Sequence, residues 1–341
     1  MFFTNEFDYK KVDILNNKLV NYGQAICEGF EYLLKNYPEV FVIGQGLWSP
    51  WYVGNSMTDL EIKFGTDRVI DTPVSESATT GAALGAGLAG MKPIIVHPRM
   101  DFMLYGVDAI VNQAAKWCHM MGGQDYSSLT IRAIINRGGE QGAQHSQALH
   151  AWFAHIPGLR VVMPSTVVDA RNLLISSVLS KDPIMYIDDR WLYDQVDMLD
   201  EIVESDISLE GPKIIKFGEN ITIVASSYSS YQASQVAKEL EKHSISAEVI
   251  DLRVISPLKV EIIIESVKKT KRLLVLDSGN LFSGYSAEII ASICERIDTS
   301  TLISKPLRIA LPNAPAPTPS ILEKSYYPSV DYITKKTLDL F

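Results

Sequence analysis

The stretch Asp71–His97, DTPVSESATTGAALGAGLAGMKPIIVH, decides the fold. Within it, Gly85–Gly90 reads GAGLAG, the Gly-x-Gly-x-x-Gly spacing of a dinucleotide-binding turn. A working turn of that kind follows its strand at once and opens the helix, so that backbone N–H groups meet a pyrophosphate at the helix N-terminus. Here the preceding β-rich run, DRVIDTPV, ends near Val74, well before Gly85. The glycines therefore stand at the far end of the helix, where the macrodipole is negative and repels a pyrophosphate. They read better as a contact surface. Gly81 and Gly85 lie four apart, and Ala82, Ala86 and Gly90 follow the same step. Each glycine costs a helix roughly 0.5–1 kcal/mol relative to alanine, which close packing offsets. The neighbour is either the chain's own sheet or a partner subunit.

Working outward, the same strand–helix–strand unit repeats. The strand candidates are VFVIGQG, DRVIDTPV, KPIIVHP, LTIRAIINR, RVVMPS and PIMYIDD. Helical spacing predicts helices over 17–36, 77–90, 104–121, 146–155 and 166–180. Strands alternating with helices imply a largely parallel sheet covered on both faces. The alternation stops after Arg190. Residues 194–212 read as an acidic, solvated connector, with no Lys or Arg from 194 to 210. It then resumes with ITIVASS, a helix over 231–243, AEVIDLRVI, a helix over 259–269, RLLVLDS, a helix over 284–297 and PLRIALP. The fold class is α/β in two domains, 1–193 and 213–341, and the Pro-rich LPNAPAPTPS reads as extended.

The 341 residues carry a formal net charge of -9, which argues against a nucleic-acid partner. Cys27, Cys118 and Cys294 are too far apart for metal or redox spacing, which implies reduced thiols and a cytoplasmic setting. No apolar run is long enough to span a membrane. The opening MFFTNEFDYKKVDILNN is too polar and acidic for a signal peptide.

Two positions carry chemistry. Glu76 stands at the strand-to-helix turn, at the carboxyl end of a strand, where parallel sheets bind ligands. It is either a binding carboxylate or a charge that complements the helix N-terminus. His145 follows the loop GGEQGAQ, with Ser146 placed to cap the next helix. A histidine there can move protons near neutral pH. His150 and His155 read as packing or surface residues. His145 and His150 are five apart, off one helical face, so no metal site is predicted.

TPVSE, VNQAAKW and GAQHSQALHAWFAHIPGLRVVMPST resemble the beta subunit of the thiamin-diphosphate-dependent decarboxylating component of 2-oxo-acid dehydrogenase complexes, of the pyruvate and branched-chain type. EVIDLRVISPL, VKKTKRLLVLDSG and PAPTPSILEKSYYPS extend the resemblance through a transketolase-type C-terminal domain. The first domain is then a transketolase-like pyrimidine-binding domain. The resemblance implies that Glu76 meets a ring nitrogen of the cofactor's aminopyrimidine, that Phe102 packs on that ring, and that His145 faces the substrate. Val74 and Tyr105 complete the expected cofactor surround. The Gly-Asp-Gly motif that binds magnesium and the diphosphate is absent, and the resemblance puts it on an alpha subunit. It thus implies an alpha2-beta2 heterotetramer, a lipoyl acyltransferase as recipient of the acyl group, and a potassium ion near LLISSVLSKDPIM.

The chain departs from the family at His97-Pro98-Arg99, and at Tyr105, where glutamine is usual. His97 and Arg99 either bring positive charge to an anionic substrate or phosphate, or pair with Asp101. The departure motivates an alternative activity: a thiamin-diphosphate-dependent carboligase or ketol transferase of a biosynthetic pathway.

Overall fold

A computed structural model describes residues 18–341; the amino-terminal run set against signal peptides above lies outside them. The first eight strands are β1 (Lys18–Asn21), β2 (Val40–Gln45), β3 (Val69–Thr72), β4 (Lys92–His97), β5 (Thr130–Ile135), β6 (Arg160–Val162), β7 (Ile184–Asp189) and β8 (Val196–Leu199). Six of these, β2 to β7, form one parallel sheet in the order β6-β7-β5-β4-β2-β3. The connection reverses direction at β2, which lies between β3 and β4. That is the topological switch point, where a cleft opens at the strands' carboxyl ends.

Burial explains the layers. β5 is buried throughout, so its residues serve both faces. Ile134 joins Phe30, Leu33, Leu173 and Leu174 from the helices Tyr22–Asn36 and Val167–Leu179. Ile131, Ala133 and Ile135 join Ala83, Leu84 and Ile110 on the opposite face.

The remaining strands are β9 (Lys213–Lys216), β10 (Ile221–Ala225), β11 (Ala247–Asp251), β12 (Val254–Ser256), β13 (Leu273–Asn280) and β14 (Leu307–Leu311). Five of them form a second sheet in the order β14-β13-β10-β11-β9, parallel except at β9. The run AEVIDLRVI, expected as one strand, divides. β11 stays in the second sheet, while β12 crosses to pair antiparallel with β6 of the first. Arg253, at φ 58, makes the turn, and it holds Asp169 through both Nε and Nη2. Val224, Ile250, Ile255 and Ile263 therefore share one core with β5 and β4.

Other expectations shift for stated reasons. The acidic 194–212 segment is not wholly solvated: Val196–Leu199 pairs with Lys18–Asn21, and Leu199 and Ile207 are buried. The helix expected over 104–121 is composite, with a 3-10 turn Phe102–Gly106, a π turn Asp108–Ala114 and an α turn Ala115–Met120. The short helices Pro50–Val53 and Leu60–Phe64 and the two C-terminal helices Ser320–Tyr326 and Val330–Leu338 escaped the periodicity reading. No helix among the described residues is long and apolar enough to cross a membrane.

Candidate active site

The helix Glu76–Leu88 opens on Glu76, and GAGLAG closes it. Gly90 lies past the end at φ 91, and Met91 N–H donates back to Ala86 O at 3.0 Å. This is a left-handed C-terminal stop, not a phosphate cradle. Two faces of the helix divide the small residues. Ala83, Leu84 and Gly87 pack on the chain's own sheet, and a Cβ on Gly87 would stand 2.8 Å from Ser128 O. Gly81, Ala82 and Gly85 are exposed, and a Cβ on Gly81 or Gly85 would meet nothing within 4 Å.

A cleft of about 200 Å³ sits at the carboxyl ends of β2, β3 and β4. Its walls come from Gly44 and Gln45, Thr72 and Pro73, and Val96 to Arg99. Glu76, Phe102 and His145 all line it. Among the described residues the half-buried Glu76 carboxylate has no hydrogen-bond or ion-pair partner. It stands in the first turn of the helix, bonds none of the helix's N–H groups and lines the cleft. The Phe102 and His145 rings meet edge to face, 5.2 Å between centroids at 89°.

Val74 and Tyr105 do not line the cleft; their side chains are 69% and 75% exposed. The helix expected from Ser146 begins at His150. Residues 142–149 are instead held by tertiary contacts: Gln147 donates to Asp101 through N and Nε2, and Leu149 N–H points to Met100 Sδ. Ser146 is thus a buried residue and no helix cap. His155 is exposed. His150 is buried with Nε2 2.9 Å from Asp277 Oδ1, tying the helix His150–Ala154 to β13 of the second sheet. Burial pushes Asp277 up, but His150 and the N–H groups of Gly279 and Ser286 outweigh it and hold it at about 2.

Neither His97 nor Arg99 pairs with Asp101. His97 is buried beside Thr80, Nε2 to Oγ1 3.3 Å, and burial pushes it down to about 4. It is neutral at pH 7 and brings no charge to the cleft. Arg99 donates from Nη1 to Pro98 O at 2.9 Å.

Sequence reasoning missed Gln45, Thr72, Trp51 and Tyr52. Two of these expose a need. Gln45 Oε1 and Thr72 Oγ1 are buried in the cleft wall without a hydrogen-bond partner. The available signal was the end of each parallel strand next to the switch point. Gly46 makes room for Tyr52: its φ is +68, and a Cβ there would stand 2.5 Å from the Tyr52 ring. Among the described residues no group of three or more His, Cys, Asp or Glu is placed to hold a metal ion.

Residues 18–195 match the family "Transketolase, pyrimidine binding domain", and residues 212–333 match "Transketolase, C-terminal domain". A pyruvate dehydrogenase E1 component subunit beta-1 from Oryza sativa subsp. japonica is 36% identical over 92% of this chain and 84% of its own length. An acetoin:2,6-dichlorophenolindophenol oxidoreductase subunit beta from Cupriavidus necator is 37% identical over 91% of this chain and 94% of its own. A split-gene transketolase, solved as an inactive beta4 tetramer, superposes with a TM-score of 0.72 at 18% identity, covering 94% of this chain and 98% of that one. The last likeness speaks for the fold alone.

Proposed function

The chain belongs to the transketolase family, and on that premise we propose that it is the beta subunit of a thiamin-diphosphate-dependent enzyme that decarboxylates a 2-oxo acid and passes on the acyl group. The observation that carries this is the meeting of Glu76, Phe102 and His145 on one cleft at the switch point. The beta-subunit relatives, about a third identical along nearly the whole chain, support it.

The residues fit the cofactor's aminopyrimidine. Glu76 offers an unshared carboxylate, Gln45 and Thr72 offer buried oxygens, and Phe102 offers a ring face. When bound, thiamin diphosphate supplies a sink for the electrons left by the departing carboxylate. In this reading Glu76 bonds a pyrimidine ring nitrogen and holds the proton that fixes the ring's tautomer. Gln45 Oε1 and Thr72 Oγ1, buried without partners in the same wall, would offer acceptors to the ring's polar edge. His145 would move a proton on the substrate side. Val74 and Tyr105, exposed in this chain, join the surround once a partner closes the cleft. We assign the magnesium and diphosphate ligands to an alpha subunit, and the assembly to an alpha2-beta2 heterotetramer that delivers to a lipoyl acyltransferase. In the segment assigned to potassium, Lys92 Nζ donates to Leu179 O at 3.2 Å, so that oxygen is already in use. The three free cysteines accord with a cytoplasmic setting.

The test is reconstitution. This chain, an alpha subunit, thiamin diphosphate and magnesium together release carbon dioxide from a 2-oxo acid, and neither subunit does so alone. Absence of release across short-chain and branched 2-oxo acids refutes the reading.

The partner contact is tested separately. The exposed stripe of Gly81, Ala82 and Gly85 is where we dock a second subunit. Gly85→Ala should stabilise the isolated chain by roughly 0.5–1 kcal/mol, because the site is open and helical. Gly85→Leu should leave this chain folded but abolish assembly, seen as lighter species in sedimentation. A normal-sized complex with leucine there removes the stripe from the interface.

A further inference from the structure

One buried arginine of the cleft has no carboxylate partner. Among the described residues, Arg99, Arg132, Arg137 and Arg171 are the buried arginines. The last three reach carboxylates of Asp188, Asp189 and Glu28. Arg99 reaches none. Its Nη1 bonds the Pro98 carbonyl, and Asn136 turns its amide oxygen towards it, 2.7–3.0 Å from the three guanidinium nitrogens. One oxygen that close to all three nitrogens must lie over the guanidinium plane, and being neutral it does not balance the charge. Asp101, two residues on, gives only Oδ1 to Gln147; its Oδ2 is buried without a hydrogen-bond partner and makes no ion pair with Arg99.

The surroundings add positive charge. Arg190 also bonds only carbonyls, those of Tyr52 and Pro50, and stacks on Tyr193. Burial, then the charge of Arg190, push the Arg99 guanidinium below its ordinary range, and Asp101 offsets part of this. A buried, unpaired cation is costly, and an incoming anion removes that cost. Arg99 lines the same cleft as Glu76, Phe102 and His145.

Which anion follows from the reaction. A carboxylate lost as carbon dioxide gives up its charge on the way to the transition state. A guanidinium on it would hold the ground state more tightly than the transition state and slow the step. We propose that Arg99 receives an anionic group that the substrate keeps through the reaction, a phosphate or a second carboxylate, and so sets the substrate class of this cleft. The inference rests on the cleft being the catalytic site.

The test uses the assembled complex with thiamin diphosphate and magnesium bound. Isothermal titration with inorganic phosphate and, separately, with malonate in a chloride background should show one of them binding. The tighter probe tells phosphate from carboxylate. Arg99→Gln should weaken that binding about 10- to 100-fold, and Arg99→Lys, which keeps the charge without the fork, should fall between. No binding to the native complex, or equal binding by native and Arg99→Gln complexes, overturns the proposal. If glutamine prevents assembly, the lysine variant decides: native-strength binding by lysine overturns it, and weaker binding supports it. A kinetic arm compares kcat/KM for 2-oxoglutarate with that for 2-oxobutyrate, and for glyceraldehyde 3-phosphate with that for glyceraldehyde as acceptor. Arg99→Gln should collapse one of these ratios, and two unchanged ratios overturn the proposal. Anion binding lost with Arg99, in a complex that decarboxylates nothing, would leave Arg99 an anion receptor and remove the catalytic reading.

Discussion

Glu76→Gln in the assembled enzyme should lower carbon dioxide release by about 10²- to 10⁴-fold, with folding and assembly intact. Glutamine has nearly the same shape but can neither carry the negative charge nor hand over a proton. The competing explanation is that Glu76 merely complements the helix it opens. That contribution is about 0.3–1 kcal/mol, at most about a fivefold change in any equilibrium. A hundredfold loss of rate cannot come from it. The two roles therefore separate by magnitude: stability falls slightly at most, and rate falls by orders of magnitude. Rates measured beside circular dichroism and sedimentation check this. A variant within about threefold of the native rate, less than 1 kcal/mol of barrier, makes Glu76 a helix-end charge and nothing more.

The legibility of this cleft followed its chemistry. Glu76 and His145 were marked by their places at the carboxyl ends of strands, and the resemblance, not the local pattern, favoured a binding role over a structural one. GAGLAG was legible by position: it follows its strand too late to open the helix, and the helix does end there. Which face of that helix stays bare was not legible, because Gly81 and Gly87 look alike until the sheet is placed. Gln45, Thr72, Trp51 and Tyr52 were missed because their roles come from tertiary proximity, although the strand-end rule marks two of them. His145 sits in a turn held by Asp101 and Met100, contacts no local pattern encodes. β12 was missed for a related reason. Its residues read as a strand, but nothing local says that the strand leaves its own sheet for the other.

The second large effect falls on stability, at a site the sequence hid inside two apolar strands. Arg132 on β5 and Asp188 on β7 are both fully buried. Arg132 donates from Nε to Asp188 Oδ1 at 3.0 Å and from Nη2 to Asp188 Oδ2 at 2.8 Å. Nη2 also reaches the Tyr193 hydroxyl at 2.7 Å and Ser56 Oγ at 2.9 Å. Burial alone would push the guanidinium down; Asp188 overrides it and raises it. Ser56 belongs to the segment that carries Trp51 and Tyr52 over the cleft, so the pair also anchors the cleft wall. Arg132→Leu strands a carboxylate away from water and should cost about 3–5 kcal/mol. The double variant Arg132→Leu/Asp188→Leu removes both charges and should recover most of that loss, because desolvating two ions consumes much of what their attraction returns. Urea unfolding of the native chain, both single variants and the double variant closes the cycle. Losses that simply add in the double variant would mean that the two charges do not stabilise each other, whatever their distance.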